Sequence, residues 1–231
     1  MTALLMALTL FVGTHFLMSH PLRAPMVNAV GATAFQGVYS LVSLATFVWV
    51  IFAFQDAPMS APFWAVGDEV WAVASALMLI GSILFAGSFI GNPALPQPGA
   101  ANLATAPARG VFAITRHPMM WGFALWGIVH IMVAPYTASI LLCGAMIILA
   151  LGGSKGQDHK KQLLMGDSWK DWESRTSFLP FGNQLSGRSG WGSAWPGSRI
   201  VLAGTLLWLI ASYGHAWFGI VGAGIWRWVW G

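Results

Sequence analysis

Charged residues in this chain are bunched between long apolar stretches. Six stretches free of Lys, Arg, Asp and Glu fall at Ala3–Ser19, Gln36–Phe54, Val70–Ile90, Met119–Ala134, Tyr136–Leu151 and Ile200–Ile220. Runs of about 20 apolar residues are the length of helix that crosses a hydrocarbon layer about 30 Å thick. In lipid, a helix also satisfies its own backbone hydrogen bonds, which an open strand cannot do. The pattern predicts an all-α integral membrane protein of about six transmembrane helices. The continuous run from Met119 to Leu151 divides at Pro135 into two of them. The first stretch reads as a membrane helix and not a cleaved signal, because Met1-Thr2 offers no basic start and no small-x-small site follows.

Charge gives the helices a direction. Arg23 follows the first stretch and Arg109 and Arg116 precede the fourth. Lys155, Lys160, Lys161, Lys170, Arg175, Arg188 and Arg199 lie between the fifth and sixth. Ten of the eleven basic residues therefore share one side, Arg227 being the exception, while the second connection carries Asp56, Asp68 and Glu69. The positive-inside rule makes the basic side cytoplasmic and puts both termini in the periplasm. Residues 153–199 become a cytoplasmic loop within one domain spanning 1–231. Inside that loop, Gln157–Phe181 reads as a short amphipathic helix with Leu163, Leu164, Trp169 and Trp172 on the membrane surface. Residues 182–197 read as a turn-rich surface loop. Trp191, Trp195, Trp226, Trp228 and Trp230 suit interfacial anchoring.

Composition agrees: 57% of residues are hydrophobic and 8% charged, against about 25% charged in soluble domains. The net charge of +4 is explained by basic residues beside anionic lipid and implies no nucleic acid. Cys143 has no partner, so no intrachain disulfide is possible and packing is its expected role.

The chain has no phosphate loop, His-Glu-x-x-His motif, cysteine pair or nucleophile elbow. What remains is histidine. An ionisable residue in a membrane segment is a functional candidate by default, and His15, His117, His130 and His215 lie in or beside the predicted helices. His117 and His130 are separated by about 20 Å along one helix, so no single metal takes both. A metal or haem site must therefore join different helices. His15 with His130 is the first pair to consider. Their depths differ, but each side chain leans toward its own helix N-terminus and so toward a common layer. Gly13 and Thr14, and Gly122 and Gly127, leave space beside them for a planar macrocycle. His215, near His130 in depth, competes, and a hydrogen-bonded structural histidine is the alternative for each. His20 and His117 suit the interface in solvated or capping roles, and His159 a solvated loop.

Several spaced fragments together give a resemblance. They are Gly13-x-His15 with Ser19-x-Pro21-Leu22-Arg23, Tyr39-Ser40-Leu41-Val42-Ser43, Val48-Trp49, Ala57-Pro58, and Thr115-Arg116-His117-Pro118 running to Trp126 and His130. With them the chain resembles the NnrU family of bacterial membrane proteins, and through it the plant and algal 15-cis-zeta-carotene isomerase, over residues 10 to 180. The resemblance implies a bacterial inner-membrane protein binding haem b, with axial ligands falling on His15 and His130 and with Arg116 and His117 near the cofactor. It implies a role supporting denitrification, with nitrite and nitric oxide reductases as partners, or a polyene substrate if the chain acts as an isomerase. The isomerase carries a cysteine three residues before its second histidine; Gly127 stands there in this chain. Arg116-His117-Pro118 followed by Gly166, Trp169, Trp172 and Arg175 also resembles membrane methyltransferases that use S-adenosylmethionine. Met119-Met120-Trp121 and Gln157-Asp158 depart from that pattern. Of the two enzyme readings, a haem-dependent cis–trans isomerase is favoured. A non-catalytic assembly factor, with Arg116 and His117 fixing a helix start, is the remaining alternative.

Overall fold

The structure, a computed structural model, describes residues 1–95, 97–218 and 222–229. Trp230, Pro96 and the end of the predicted sixth helix lie outside the described residues. Among the described residues there is no strand. Six apolar helices form the body: α1 (Thr2–Ser19), α3 (Ala32–Gln55), α4 (Asp68–Gly87), α7 (Pro118–Val133), α8 (Thr137–Met165) and α11 (Ser198–Gly214). Five of them are long and apolar enough to cross a membrane, and α7 is a shorter apolar helix. An all-α membrane protein is what the hydropathy pattern required.

Shorter helices join these: α2 (Arg23–Val30), α5 (Ala100–Thr105), α6 (Val111–Ile114), α9 (Asp167–Arg175), α10 (Gly182–Leu185), a 3₁₀ turn at Trp191–Ala194, another at His215–Phe218, and α12 (Trp226–Val229). Helix starts follow local chemistry. Asp68 and Glu69 occupy the first turn of α4, where acidic charge meets the positive end of the helix dipole. Pro118 opens α7, a position whose N–H has no helical partner anyway. Pro135 ends the 119–151 run as a helix, and α8 restarts at Thr137.

The packing order across the body is α11, α4, α7, α8, α1, α3, each helix touching the next. Lipid removes the hydrophobic drive for this association, so close backbone approach at small residues replaces it. Gly204 of α11 lies so near α4 that a Cβ there would be 2.5 Å from Ile83 Cα. Gly122 of α7 meets α4 in the same way, its Cβ position 3.0 Å from the Gly81 carbonyl oxygen. On the outside, Leu41 and Ile210 are each 70% exposed, an apolar surface that suits lipid.

Two cores hold the ends. Leu4, Ala7, Leu8 and Phe11 of α1 pack with Val50 and Ala53 of α3 against α8. At the basic end, Trp169 and Trp172 of α9 are fully buried with Phe112, Ile114 and Leu84. This corrects the amphipathic-helix expectation. Gln157–Phe181 is not one helix on the membrane surface: α8 runs on to Met165, and Gly166, at φ +56, turns the chain into α9. Leu163 and Leu164 are exposed, but the two tryptophans face inward. The reach of α8 beyond Leu151 has a cause. Gln157 Nε2 donates to the Ala94 carbonyl and Lys161 Nζ to that of Pro93, both at 3.1 Å, so the polar extension is tied to the 88–95 loop. Residues 182–197 are likewise partly ordered, with Asn183 and Gln184 buried.

At the opposite end, Phe63 N–H donates to the Pro135 carbonyl (2.9 Å) and Trp64 Nε1 to that of Met132 (3.1 Å). These bonds seal the α7–α8 turn. Arg227 pairs with Asp68 at 2.8 Å, so the one basic residue on this face is neutralised.

Gly204→Ala should lower stability by about 1–3 kcal/mol, the usual cost of overpacking. Gly144→Ala, where a Cβ meets nothing within 4 Å, should leave it unchanged. Thermal unfolding of the two proteins in mild detergent compares them, and equal midpoints would remove the close α4–α11 contact as a determinant.

Candidate functional site

Three groups of polar side chains lie along the body. The first joins α7 to α8 at the basic end. His117 is the residue before α7, and the turn ahead of it is fixed by Thr115, whose hydroxyl donates to the Phe178 carbonyl at 2.8 Å. That places Arg116 and His117 side by side over α8. Arg116 Nε and Nη2 both donate to Asp158 Oδ2, at 2.9 and 2.7 Å, and His117 Nε2 donates to Oδ1 at 2.8 Å. Glu173 lies 3.6 Å from the same guanidinium, and the Phe178 ring sits beneath both Arg116 and Lys155. The His117 side chain is 1% exposed and Asp158 8%, so His117 is not the solvated interface residue the sequence suggested. Both Asp158 oxygens are occupied. The arrangement is a buried charge network that locks two helices, with Arg116 and His117 turned to Asp158.

The second group surrounds a cavity of about 310 Å³ between α1, α3, α7 and α8. His15, Ser19, His20, Tyr39, Gln157 and Lys160 form its polar side. Phe16, Phe123 and Leu149 form apolar wall. His15 Nδ1 lies 2.7 Å from the Phe11 carbonyl oxygen. A carbonyl only accepts, so Nδ1 is the donor, and in the neutral ring Nε2 keeps a free lone pair. His20, just past α1, rests on Gly156 of α8, where a Cβ would collide with its ring. Burial, with Lys160 and His159 nearby, lowers its pKa from the ordinary histidine value.

The third group lies toward the other end. His130 of α7 and His215, at the end of α11, have ring centroids 6.2 Å apart and planes inclined by 29°. Each Nδ1 donates to the carbonyl one turn back in its own helix, Trp126 at 2.7 Å and Ala211 at 2.8 Å. In the neutral form each ring then keeps the Nε2 lone pair free. The Trp126 ring packs on His130 at 4.3 Å between centroids.

Of the residues singled out from sequence, Arg116 with His117, and His130 with His215, are brought together. His15 and His130 are not. Phe16 packs on Gly152, and Gly127 on Cys143 and Ile147. Measured along α8, the two histidines are therefore about ten residues apart, roughly 15 Å at 1.5 Å per residue. A side chain leaning along its helix cannot span that. Nor does glycine open space at His130: Gly122 is filled by α4, and a Cβ at Gly127 would be 2.7 Å from Ile147 Cγ1. Cys143 is buried, as a packing residue should be. His159 is exposed on α8. Sequence reasoning missed Asp158. An acid among Lys155, Lys160 and Lys161, one α8 turn from Lys155 and from Lys161, is the signal the sequence offers. Tyr39 and Lys160 were missed as cavity residues because nothing local marks them.

A family model described as NnrU protein matches residues 3–223. No curated protein and no solved structure matches the chain.

Asp158→Asn would leave the Arg116 charge buried with only the more distant Glu173. The expected loss is about 3 kcal/mol, as for other broken buried pairs, read as a lower unfolding midpoint in detergent. An unchanged midpoint would mean the network does not hold the basic end together.

Proposed function

This chain belongs to the NnrU family, and on that footing we propose that it is a haem b-binding protein of the bacterial inner membrane that supports nitrogen-oxide respiration. The residues that would hold the haem in this reading are His130 and His215. The observation that carries it is their 6.2 Å ring separation combined with two committed Nδ1–H groups. Two imidazoles this close, each with its Nδ1–H committed to a carbonyl, would be able to offer Nε2 to one iron-bearing group. Neutral histidine with its second nitrogen hydrogen-bonded to a carbonyl is the usual ligand form. The nitrogen donors are of the kind that haem iron takes. His15, which the family resemblance pairs with His130, lines the cavity nearer the basic end, and in this reading His215 is the partner instead.

Haem b bound by two histidines supplies a one-electron couple and favours electron transfer or redox sensing. The chain's own residues orient and exclude. Trp126 packs against the His130 ring and, through its carbonyl, fixes the tautomer. The Arg116–His117–Asp158 network fixes where α7 begins and thereby the depth of His130. Gly127 faces α8, so the position of the isomerase's cysteine does not point toward a ligand site. That favours electron service over a ligand-exchange isomerase. The denitrification role rests on the family resemblance, and positive-inside charge supports cytoplasmic placement of the basic end.

Purified full-length protein, supplied with haem and kept in mild detergent, should give the oxidised and reduced absorption bands of low-spin bis-histidine haem. His130→Ala and His215→Ala should each lose that low-spin signature and most bound haem, while His15→Ala keeps both. A wild-type protein without a Soret band would end the haem reading, and loss of the bands in His15→Ala alone would move the site to the cavity. In a denitrifying host lacking its own family member, the wild-type gene should restore nitric oxide consumption and His130→Ala should not.

A further inference from the structure

We infer that the cavity at the basic end, between α1, α3, α7 and α8, binds an amphiphile with an oxyanion head, held by Lys160 and Tyr39 while its apolar body lies along Phe16, Phe123 and Leu149. The charge balance leads to it. Lys160 lines the cavity, and among the described residues no acid pairs with it. Its charged neighbours are also cationic or cation-capable: Arg23, Lys161 and His20. Arg23 likewise has no acidic partner among the described residues; its guanidinium sits over Phe35. Asp158, the nearest acid in sequence, has both oxygens taken by Arg116 and His117. A half-buried ammonium among like charges is costly unless an anion joins it.

The rest of the wall fits the same ligand. Ser19 Oγ donates to the Tyr39 hydroxyl oxygen at 3.2 Å, which leaves the Tyr39 O–H to donate elsewhere. Tyr39 and Lys160 together offer two donors to a phosphate or carboxylate. The remaining surface is mainly apolar and takes a hydrocarbon chain. Basic recesses between membrane helices at the cytoplasmic face are where acidic lipid heads settle. Gly153 keeps the recess open: it lines the cavity, and a Cβ there meets nothing within 4 Å. The site is separate from His130 and His215, so loss of amphiphile binding and loss of haem are distinguishable outcomes.

Delipidated full-length protein, titrated with phosphatidylglycerol or with oleate and observed by native mass spectrometry, distinguishes the two sources of the head. One bound molecule is expected for at least one of them. Lys160→Gln should weaken it about tenfold, and Gly153→Leu, which fills the recess, should abolish it. Lys170→Gln, the same charge change on α9 where Lys170 pairs with Asp167, should leave binding unchanged. Binding by oleate alone identifies a free carboxylate, and by phosphatidylglycerol alone a phospholipid head. Wild-type affinity in both cavity variants, at unchanged unfolding midpoints, would overturn the proposal. So would equal retention of uncharged diacylglycerol, or loss of haem absorbance in the cavity variants, which would make the cavity the haem pocket.

Discussion

Asp158 sets the relative depth of α7 and α8. Its two oxygens receive three hydrogen bonds from Arg116 and His117, the two residues immediately before Pro118. A carboxylate so occupied leaves little freedom for the α7 start to slide along α8. Pro135 closes the other end of the pair, and the 56–67 loop bonds to the carbonyls on either side of that turn. The hairpin is pinned at both ends. Everything placed by α7, including Met120 and Phe123 in the cavity and His130 beside His215, inherits its depth from these attachments.

Lipid explains why most helices were legible. Its demand for uninterrupted apolar sequence places α1 and α7 within a residue of the boundaries drawn from the pattern, Thr2–Ser19 against Ala3–Ser19 and Pro118–Val133 against Met119–Ala134. The same criterion fails where a helix leaves the lipid. The polarity change after Leu151 marks the edge of the hydrocarbon, not the end of α8, which continues because Asp158, Gln157 and Lys161 find partners on other segments. Trp169 and Trp172 look interfacial by residue type, yet they form the core that covers the basic end, and only tertiary contact reveals that.

The histidines show a subtler limit. Which of them lie in or beside apolar helices could be read directly, but which meet could not. Side-chain lean shifts a ring by a few ångströms at most, whereas the helix register separates His15 from His130 by about 15 Å. His215 joins His130 because α11 and α7 both pack on α4, an order of helices that no local pattern encodes. The result divides the body by chemistry. A cation-lined recess occupies the basic end, and a pair of facing imidazoles lies toward the other.

The 16 residues of α7 have a consequence for the bilayer itself. At 1.5 Å per residue they rise about 24 Å, several ångströms short of a typical hydrocarbon layer of about 30 Å. A span that short is matched by thinning the membrane around it or by drawing headgroups inward. α7 is also the helix whose two ends carry the polar residues, Arg116 and His117 at one and His130 near the other. Hydrophobic mismatch at this single helix would therefore draw headgroups inward beside its two polar ends.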